Sequence, residues 1–348
     1  GTAAIAGVHA EVNTGGTLSE GDLAHHGPAA RALGTTGAGV KVGVISDSID
    51  QVAPGIAGSQ GTGDLPASVQ VLADMAGGAD EGRAMAEIVY DEAPGVTQMA
   101  FATGTTGAAA KAQHIHDLVT WGADVIADDT FVVTQPFFFD GPVSRAVDTA
   151  TAAGTVYVVS AGNRARQSWE GVHAGGPNTN VDFAPGAATD TVQQVGTLTG
   201  NAWIELQWDE PWGIGKVKSD FSVRVYNLSG GTPVLAFEHD DDNVASGIPT
   251  EFVTINGGVP YGIEIHRKKG AGAIRLKYIA GGNQNVAIEH ATDSSGVDPD
   301  ASSARTALTV GASVYSSPTT PEDFSSRGAV TRRRSPTGAR LAVATAST

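Results

Sequence analysis

Cysteine is absent from all 348 positions of the chain. Without thiols the protein can form no disulfide framework, no cysteine-ligated zinc or iron–sulfur site and no thiol nucleophile. Basic residues are scarce as well, because 21 Lys and Arg face 37 Asp and Glu, for a formal net charge of −16 at pH 7. Phosphate backbones and anionic bilayers repel such a chain. We therefore expect neither nucleic-acid binding nor membrane association as its main activity.

Long apolar runs are also missing, since no stretch approaches the roughly 18 apolar residues that a membrane span needs. The opening segment GTAAIAGVHAEVNTGG has neither the basic start nor the apolar core of a signal peptide. A start at Gly1 fits a processed chain, and 46 glycines with few lysines are typical of secreted bacterial proteins. We expect an extracellular, bacterial protein.

Short apolar runs alternate with Ala-rich segments of helical length through residues 37–188. The runs VKVGVI, TQMAFA and TVYVVSAGN have the character of buried strands, whereas AAAKAQHIHDLVTWG has the length of a helix. This alternation predicts an α/β fold with a doubly wound, mainly parallel sheet. In such folds the functional groups gather where strands end and helices begin.

The pattern changes in residues 189–289, where alternating runs such as AWIELQW and YGIEIHR are separated by the turn signals NLSGGTP and INGGVP. This spacing predicts an antiparallel β-sandwich inserted into the α/β domain. The run TALTVGASV, at 306–314, again has the character of a buried parallel strand. We therefore divide the chain into an N-terminal lead (1–36), a first α/β part (37–188), the inserted sandwich (189–289) and an incomplete return segment of the α/β domain (290–348).

Acidic side chains follow two predicted strands and open one predicted helix. Asp47 follows VKVGVIS, where it can orient a catalytic base or simply cap the strand end. Glu81 lies in a first helical turn, which favours acids whatever their function. The doublet Asp128 and Asp129 ends ADVIADD, and because neighbouring strand residues point to opposite faces, at least one should turn toward the cleft or the helices. A solvated strand end is the alternative for this doublet.

A fourth stretch, VYVVSAGN, ends in Gly162 and Asn163. Small residues let a substrate approach the backbone, and an Asn amide can donate to a developing oxyanion, which contributes about 3–4 kcal/mol in known cases. Gly-Asn is also a common turn. Each of the four signals has such a structural alternative when it is taken alone.

In this order and spacing the four stretches resemble the subtilisin-like and sedolisin-like serine peptidases, which share one doubly wound α/β fold. VKVGVISDSID is similar to the strand of the catalytic Asp, ADVIADDTF to the substrate wall, and VYVVSAGN to the strand of the oxyanion-hole Asn. DFSSRG is similar to the loop before the nucleophile helix. The resemblance covers 18–185 and 306–341. It implies a secreted serine endopeptidase that acts on protein or peptide substrates.

Where subtilisin-like enzymes carry the catalytic His, this chain has Glu81, which resembles the catalytic Glu of sedolisins, and Met85 stands where sedolisins keep a second acid. The resemblance thus implies Glu81 as general base, Asp47 as its orienting acid and Asn163 at the oxyanion. It implies substrate binding by Asp128, Asp129 and Gly162. An ungapped match places Ser46 instead of Asp47 on the catalytic strand position, and both assignments stay open.

The nucleophile of both families belongs to a Gly-Thr-Ser-x-x-x-Pro segment after the DFSSRG-like loop, and the sequence contains no such segment. We expect the nucleophile beyond residue 348 or on a separate C-terminal fragment. Without its helix, one apolar face of the sheet would stay uncovered. The alternative is an inactive or truncated protease-like binding protein. A carboxylate base with an ordinary pKa near 4.3 predicts an acid-shifted optimum, unless burial beside Asp47 raises that pKa through like-charge repulsion.

We expect no cofactor and no catalytic metal. The acidic run Asp240-Asp241-Asp242-Asn243 offers hard oxygen ligands for a structural Ca²⁺. It lacks the spacing and the glycine of a defined calcium loop, so a solvated hairpin tip is the preferred interpretation.

Overall fold

The computed structural model describes residues 19–164, 166–186, 188–198, 201–282, 286–328, 330, 333–334 and 340–341. Residues 1–18 of the predicted lead and most of 329–348 lie outside these ranges. The helices are α1 (Glu20–Ala24), α2 (Gly27–Ala32), α3 (Gly55–Thr62), α4 (Glu81–Glu92), α5 (Ala108–Trp121), α6 (Pro142–Ala152) and α7 (Asn243–Ser246), with a 3₁₀ helix at Asp300–Ser303. Within the described ranges, none of them combines the length and the apolar character required to cross a membrane.

The strands fall into parallel and antiparallel sets. The α/β part holds β1 (Lys41–Ser46), β2 (Ser68–Ala73), β3 (Gln98–Thr103), β4 (Val125–Asp128) and β5 (Val156–Ser160). The insert holds β6 (Ser168–His173), β7 (Thr179–Asn180), β8 (Gln193–Thr197), β9 (Asn201–Trp208), β10 (Asp220–Asn227), β11 (Val234–His239), β12 (Thr250–Asn256), β13 (Pro260–Lys269) and β14 (Ile274–Gly282). The return segment holds β15 (Leu308–Val310), β16 (Ser313–Val314), β17 (Ser317–Pro321), β18 (Arg333–Arg334) and β19 (Arg340–Leu341).

Six parallel strands form the central sheet in the order β15-β5-β4-β1-β3-β2. The inner strands β1 and β3 are buried on both faces because helices cover both faces there. Val42 and Val44 pack with α3 and α4, whereas Ile45 and Ile126 pack with α5 and α6. The predicted doubly wound, mainly parallel α/β class is confirmed.

The strand order reverses between β1 and β4. The strands β3 and β2 lie on one side of β1, and β5 and β15 lie beyond β4 on the other side. At such a reversal the loops diverge and leave a crevice outside the carboxyl ends of the strands. Asp47 follows β1, and Asp129 follows β4, so the chain brings two of the predicted acids to this crevice.

One face of the sheet is open near β5 and β15. Tyr157 and Val159 of β5 are buried beneath α6, whereas Val156, Leu308 and Val310 are 45%, 57% and 52% exposed. No described helix covers these three side chains. Among the described residues, the sheet therefore presents an exposed apolar patch at this edge, and the missing nucleophile helix stays a prediction.

Two antiparallel sheets form the insert. One has the order β11-β10-β13-β7 with β8 also on β13, and the other has the order β12-β9-β14-β6. Alternate residues from both sheets, among them Trp208, Phe221, Ile263 and Tyr278, form a common buried core. The predicted inserted antiparallel sandwich is confirmed. The strands β6 and β7 precede the predicted domain boundary at 189, and that boundary stays a prediction.

Three buried carboxyls make the stability of the fold depend on pH. Burial raises the pKa of Glu205 to about 7 and the pKa values of Asp298 and Asp300 to about 6. Between the ordinary carboxyl pKa and these values, the folded chain binds more protons than the unfolded chain. The free energy of unfolding should therefore fall as the pH rises from about 4.5 to about 7.

We expect a higher melting temperature at about pH 5 than at about pH 8. Burial lowers the pKa of His173 and of His266, and these two groups act in the opposite direction. Glu205→Gln should flatten the profile, because the amide keeps the side-chain shape and does not titrate. A wild-type profile that is already flat would contradict the expectation.

Candidate active site

Asp47 is held at the first turn of α4. Its carboxylate accepts hydrogen bonds from the backbone N–H groups of Ala79 at 2.6 Å and of Glu81 at 2.9 Å. Helix N-termini leave such donors unsatisfied and carry a partial positive charge, so an acid from β1 satisfies both needs. Asp80, the N-cap residue, forms no capping bond with its side chain. Asp47 thus positions the backbone of Glu81.

Glu81 is the first residue of α4 and is partly buried. Burial raises the pKa of its carboxyl, and the negative charge of Asp47 raises it further. The next residue, Gly82, lets α4 begin close to the sheet, because an added Cβ would overlap the ring of Phe101 and lie 2.7 Å from the Ser48 carbonyl oxygen. The pair Glu-Gly therefore places an acid on a helix that starts directly against the sheet.

The acids of the β4 doublet have opposite surroundings. Asp128 is buried, and its carboxylate binds the Lys111 ammonium at 2.9 Å, the Tyr157 hydroxyl at 2.7 Å and the Thr130 backbone N–H at 2.9 Å. These bonds engage both of its oxygens within the protein. Its role in substrate binding stays a prediction.

Asp129 faces the crevice. Its Oδ2 accepts a hydrogen bond from the Ser46 hydroxyl at 3.1 Å, and its Oδ1 is buried without a hydrogen-bond partner among the described residues. Burial raises the pKa of Asp129 well above its usual range, and the negative charges of Glu81 and Asp128 add to this effect. Asp129 is therefore a neutral carboxylic acid over a wider pH range than an ordinary aspartate.

A cleft of about 310 Å³ lies at the carboxyl ends of β4, β5 and β15. Small and apolar groups form most of its wall. Its lining consists of Met85, Ala127, Asp128, Asp129 and residues 158–163 and 310–312. Gly162 and Asn163 thus share one cleft with Asp129, while Asp47 and Glu81 lie outside its lining.

The turn at the end of β5 is supported from the return segment. Gly162 has a φ of +99°, and an added Cβ would overlap the carboxylate of Asp298. The Asp298 N–H donates to Ala161 O at 3.0 Å, and the Ser326 N–H donates to Gly162 O at 2.8 Å. Only glycine combines this left-handed backbone with so close an approach. The exposed Asn163 that follows is therefore presented on a supported turn.

Lys111 and Asp300 also belong to the site, although the sequence patterns did not point to them. Lys111 is fully buried in α5 and lies 2.9 Å from Asp128, 3.4 Å from Asp300 and 2.7 Å from the Thr130 carbonyl oxygen. Asp300 also accepts the Val132 N–H at 2.9 Å. The one signal was a single lysine within an Ala-rich helix. This cation holds the segment that follows β4 against the return segment.

Two groups of described residues have a composition suited to a metal ion: Asp190, Glu289 and His290, and His239, Asp241 and Glu251. Neither group contributes a residue to the cleft. In the acidic run singled out from the sequence, Asp240 pairs with Lys268 at 2.6 Å and Asp242 caps α7 through the Ala245 N–H at 3.1 Å.

No protein-family model and no curated protein matches the chain. Among solved structures, the CspB protease of Clostridium perfringens aligns over 89% of this chain and 77% of its own, with 13% identity and a TM-score of 0.47. The prenylagaramide maturation protease PagA aligns over 37% and 47%, with 15% identity and a TM-score of 0.28. The PatG macrocyclase in complex with peptide aligns over 37% and 52%, with 11% identity and a TM-score of 0.24. At such low scores, the activity of this chain has to be inferred from its own site.

Proposed function

We propose that this chain carries the acid–base and substrate-binding part of a secreted serine endopeptidase whose general base is a carboxylate. The observation that supports this proposal is that three acids lie close together where the strand order of the sheet reverses. Asp47 fixes the start of α4, Glu81 is placed at that start, and Asp129 lies within the electrostatic reach of Glu81 at the edge of the cleft. Ligands bind at such a reversal in open α/β sheets.

In the proposed reaction a serine hydroxyl attacks the peptide carbonyl carbon, and Glu81 accepts the hydroxyl proton. The Asn163 amide donates a hydrogen bond to the oxyanion that forms. Collapse of this intermediate breaks the C–N bond, and Glu81 returns the proton to the leaving amine. Water then hydrolyses the acyl-enzyme, with Glu81 again accepting and returning a proton. Asp47 contributes by holding the backbone of Glu81 in place.

The nucleophile is proposed to come from beyond residue 348 or from a separate C-terminal fragment. The uncovered face formed by Val156, Leu308 and Val310 supports this, because it adjoins the cleft and can bury a further helix. Substrate is proposed to enter along Gly162, with a side chain in the apolar cleft. There Asp129 would donate a hydrogen bond when neutral and favour a basic side chain when ionised.

The pH dependence of hydrolysis tests this proposal. Glu81 accepts a proton only when it is ionised, so kcat/KM should rise with pH through the raised pKa of Glu81. We expect an optimum on the acidic side of neutrality for the full natural chain with a peptide-library substrate, assayed from about pH 3 to about pH 9. A fluorophosphonate probe should label a serine over the same range. An optimum above about pH 8 would contradict a carboxylate base.

A second candidate is a protease-like binding protein without catalysis. It is favoured by the ungapped match that places Ser46 on the catalytic strand position. Ser46 is no acid, and its fully buried hydroxyl donates to Asp129 and is out of reach of a substrate. This candidate predicts that peptides from the same library bind saturably to the full chain, while no serine is labelled at any pH.

A further inference from the structure

The inserted sandwich brings an imidazole and two carboxylates together where its two sheets meet. His239 ends β11, an edge strand of one sheet, and Glu251 belongs to β12, an edge strand of the other. Asp241 lies on the connection between these strands. One potential ligand atom from each residue lies within 4.8 Å of the other two.

The strand registers direct His239 and Glu251 into the same gap. His239 pairs with Val223, and Glu251 pairs with Leu206, and both partners belong to the sandwich core. Because directly opposed residues of an antiparallel pair project to the same face, both side chains project between the sheets. His239 Nδ1 accordingly lies 2.5 Å from Glu251 Oε2. The contact joins the two sheets at their open edge.

The neighbouring acids all have a lysine partner. Asp240 pairs with Lys268 at 2.6 Å, and Asp220 and Asp242 each lie 3.4 Å from Lys269. These ion pairs engage Lys268 and Lys269 with the acids that flank Asp241.

The imidazole of His239 is the one cationic partner of Glu251 among the described residues, and Glu251 also accepts a hydrogen bond from the Asn243 side chain. Neither Asp241 nor Glu251 forms an ion pair with a lysine or arginine of the described chain. The carboxylate of Glu251 is fully buried. A buried carboxylate is costly without a compensating positive charge. A divalent cation would offset both negative charges at once.

We propose that His239, Asp241 and Glu251 bind one zinc-type divalent ion, with water as a further ligand. The donor set of one imidazole nitrogen and two carboxylate oxygens suits Zn²⁺, whereas Ca²⁺ takes oxygen ligands only. The Asp241 backbone N–H donates to Glu251 Oε1 at 3.3 Å, and this hydrogen bond orients the carboxylate of Glu251. The ion ties the two edge strands together. This site is independent of the proposed peptidase activity.

Calorimetric titration of the chelator-treated protein with ZnCl₂ tests the site. We expect about one Zn²⁺ per chain, a higher melting temperature with Zn²⁺, and no such effect of CaCl₂ at equal concentration. Asp241→Asn should weaken Zn²⁺ binding at least about tenfold, because it replaces a charged ligand in an exposed position. Asp240→Asn, a matched change at the preceding position, should leave the dissociation constant unchanged.

The second group of potential ligands provides the competing assignment. His290→Gln disrupts the group formed with Asp190 and Glu289 and should leave Zn²⁺ binding unchanged. The proposal is wrong if the protein does not bind Zn²⁺ saturably, or if Asp241→Asn and Asp240→Asn bind it equally well. Loss of binding in His290→Gln with full binding in Asp241→Asn would assign the ion to the other group. Each of these results is obtained without an assay of hydrolysis.

Discussion

Glu81→Gln should reduce kcat/KM by about 10² to 10⁴-fold while the chain stays folded, because an amide cannot accept the proton of the nucleophile. The substitution keeps the shape of the side chain, and the backbone N–H that binds Asp47 remains. It also removes a negative charge whose presence burial and Asp47 oppose. The melting temperature should therefore be equal to or above that of the wild type. The measurement pairs peptide hydrolysis by the full natural chain with thermal unfolding.

The control for this change is Glu92→Gln, the same substitution at the other end of α4. Glu92 contacts the exposed His25 at 3.1 Å and lies away from the cleft lining. It should leave hydrolysis unchanged. Glu81→Asp should keep part of the activity, since it retains an ionisable acid. If Glu81→Gln kept more than about a tenth of the wild-type rate, Glu81 would not be the general base.

The same variant has a second readout that needs no turnover. The charge of Glu81 raises the pKa of Asp129, so its removal should lower that pKa. Carboxyl-carbon NMR of the chain as a function of pH can follow the Asp129 resonance, identified by its loss in Asp129→Asn. An unchanged pKa of Asp129 would mean that the two acids do not share one electrostatic environment.

The fold follows from patterns that a single sequence contains. The parallel strands β1 and β3 are short apolar runs between helices, and burial on both faces explains why they do not alternate. The strand β6 was harder to recognise, because SWEGVH combines the buried Trp169 with polar residues at the edge of a sheet. This strand therefore joins the sandwich sheet although it precedes the stretch of apolar alternation.

The positions of site residues were more predictable than their interactions. Strand ends and helix starts locate Asp47 and Glu81, but sequence order cannot tell that the carboxylate of Asp47 binds backbone N–H groups. Adjacent positions indicate that the side chains of Asp128 and Asp129 point in different directions. Which of the two pairs with a buried cation depends on Lys111, whose distant position in the sequence gives no local signal. Asp298 supports Gly162 from a distant segment, and no local pattern reports such a contact.

Lys111→Met should lower the free energy of unfolding by about 3–5 kcal/mol at neutral pH, because it leaves the buried acids Asp128 and Asp300 without their shared cation. Methionine has a similar length, so the loss reflects charge more than volume. Lys216→Met, at an exposed position, is the matched control and should change stability by less than about 0.5 kcal/mol. Denaturant unfolding of both variants measures the difference.

The pH dependence of this loss separates an electrostatic cause from a packing defect. Burial raises the pKa of Asp300 to about 6, so acidification below that value neutralises Asp300 in the folded chain. A neutral Asp300 needs no cation, and the destabilisation by Lys111→Met should therefore shrink as the pH falls from about 7 to about 5. Adding Asp128→Asn and Asp300→Asn to Lys111→Met should recover part of the loss at neutral pH. A destabilisation that is the same at both pH values, and that the two amides do not relieve, would show that the ammonium of Lys111 acts by filling space instead of by balancing the acids that hold the cleft.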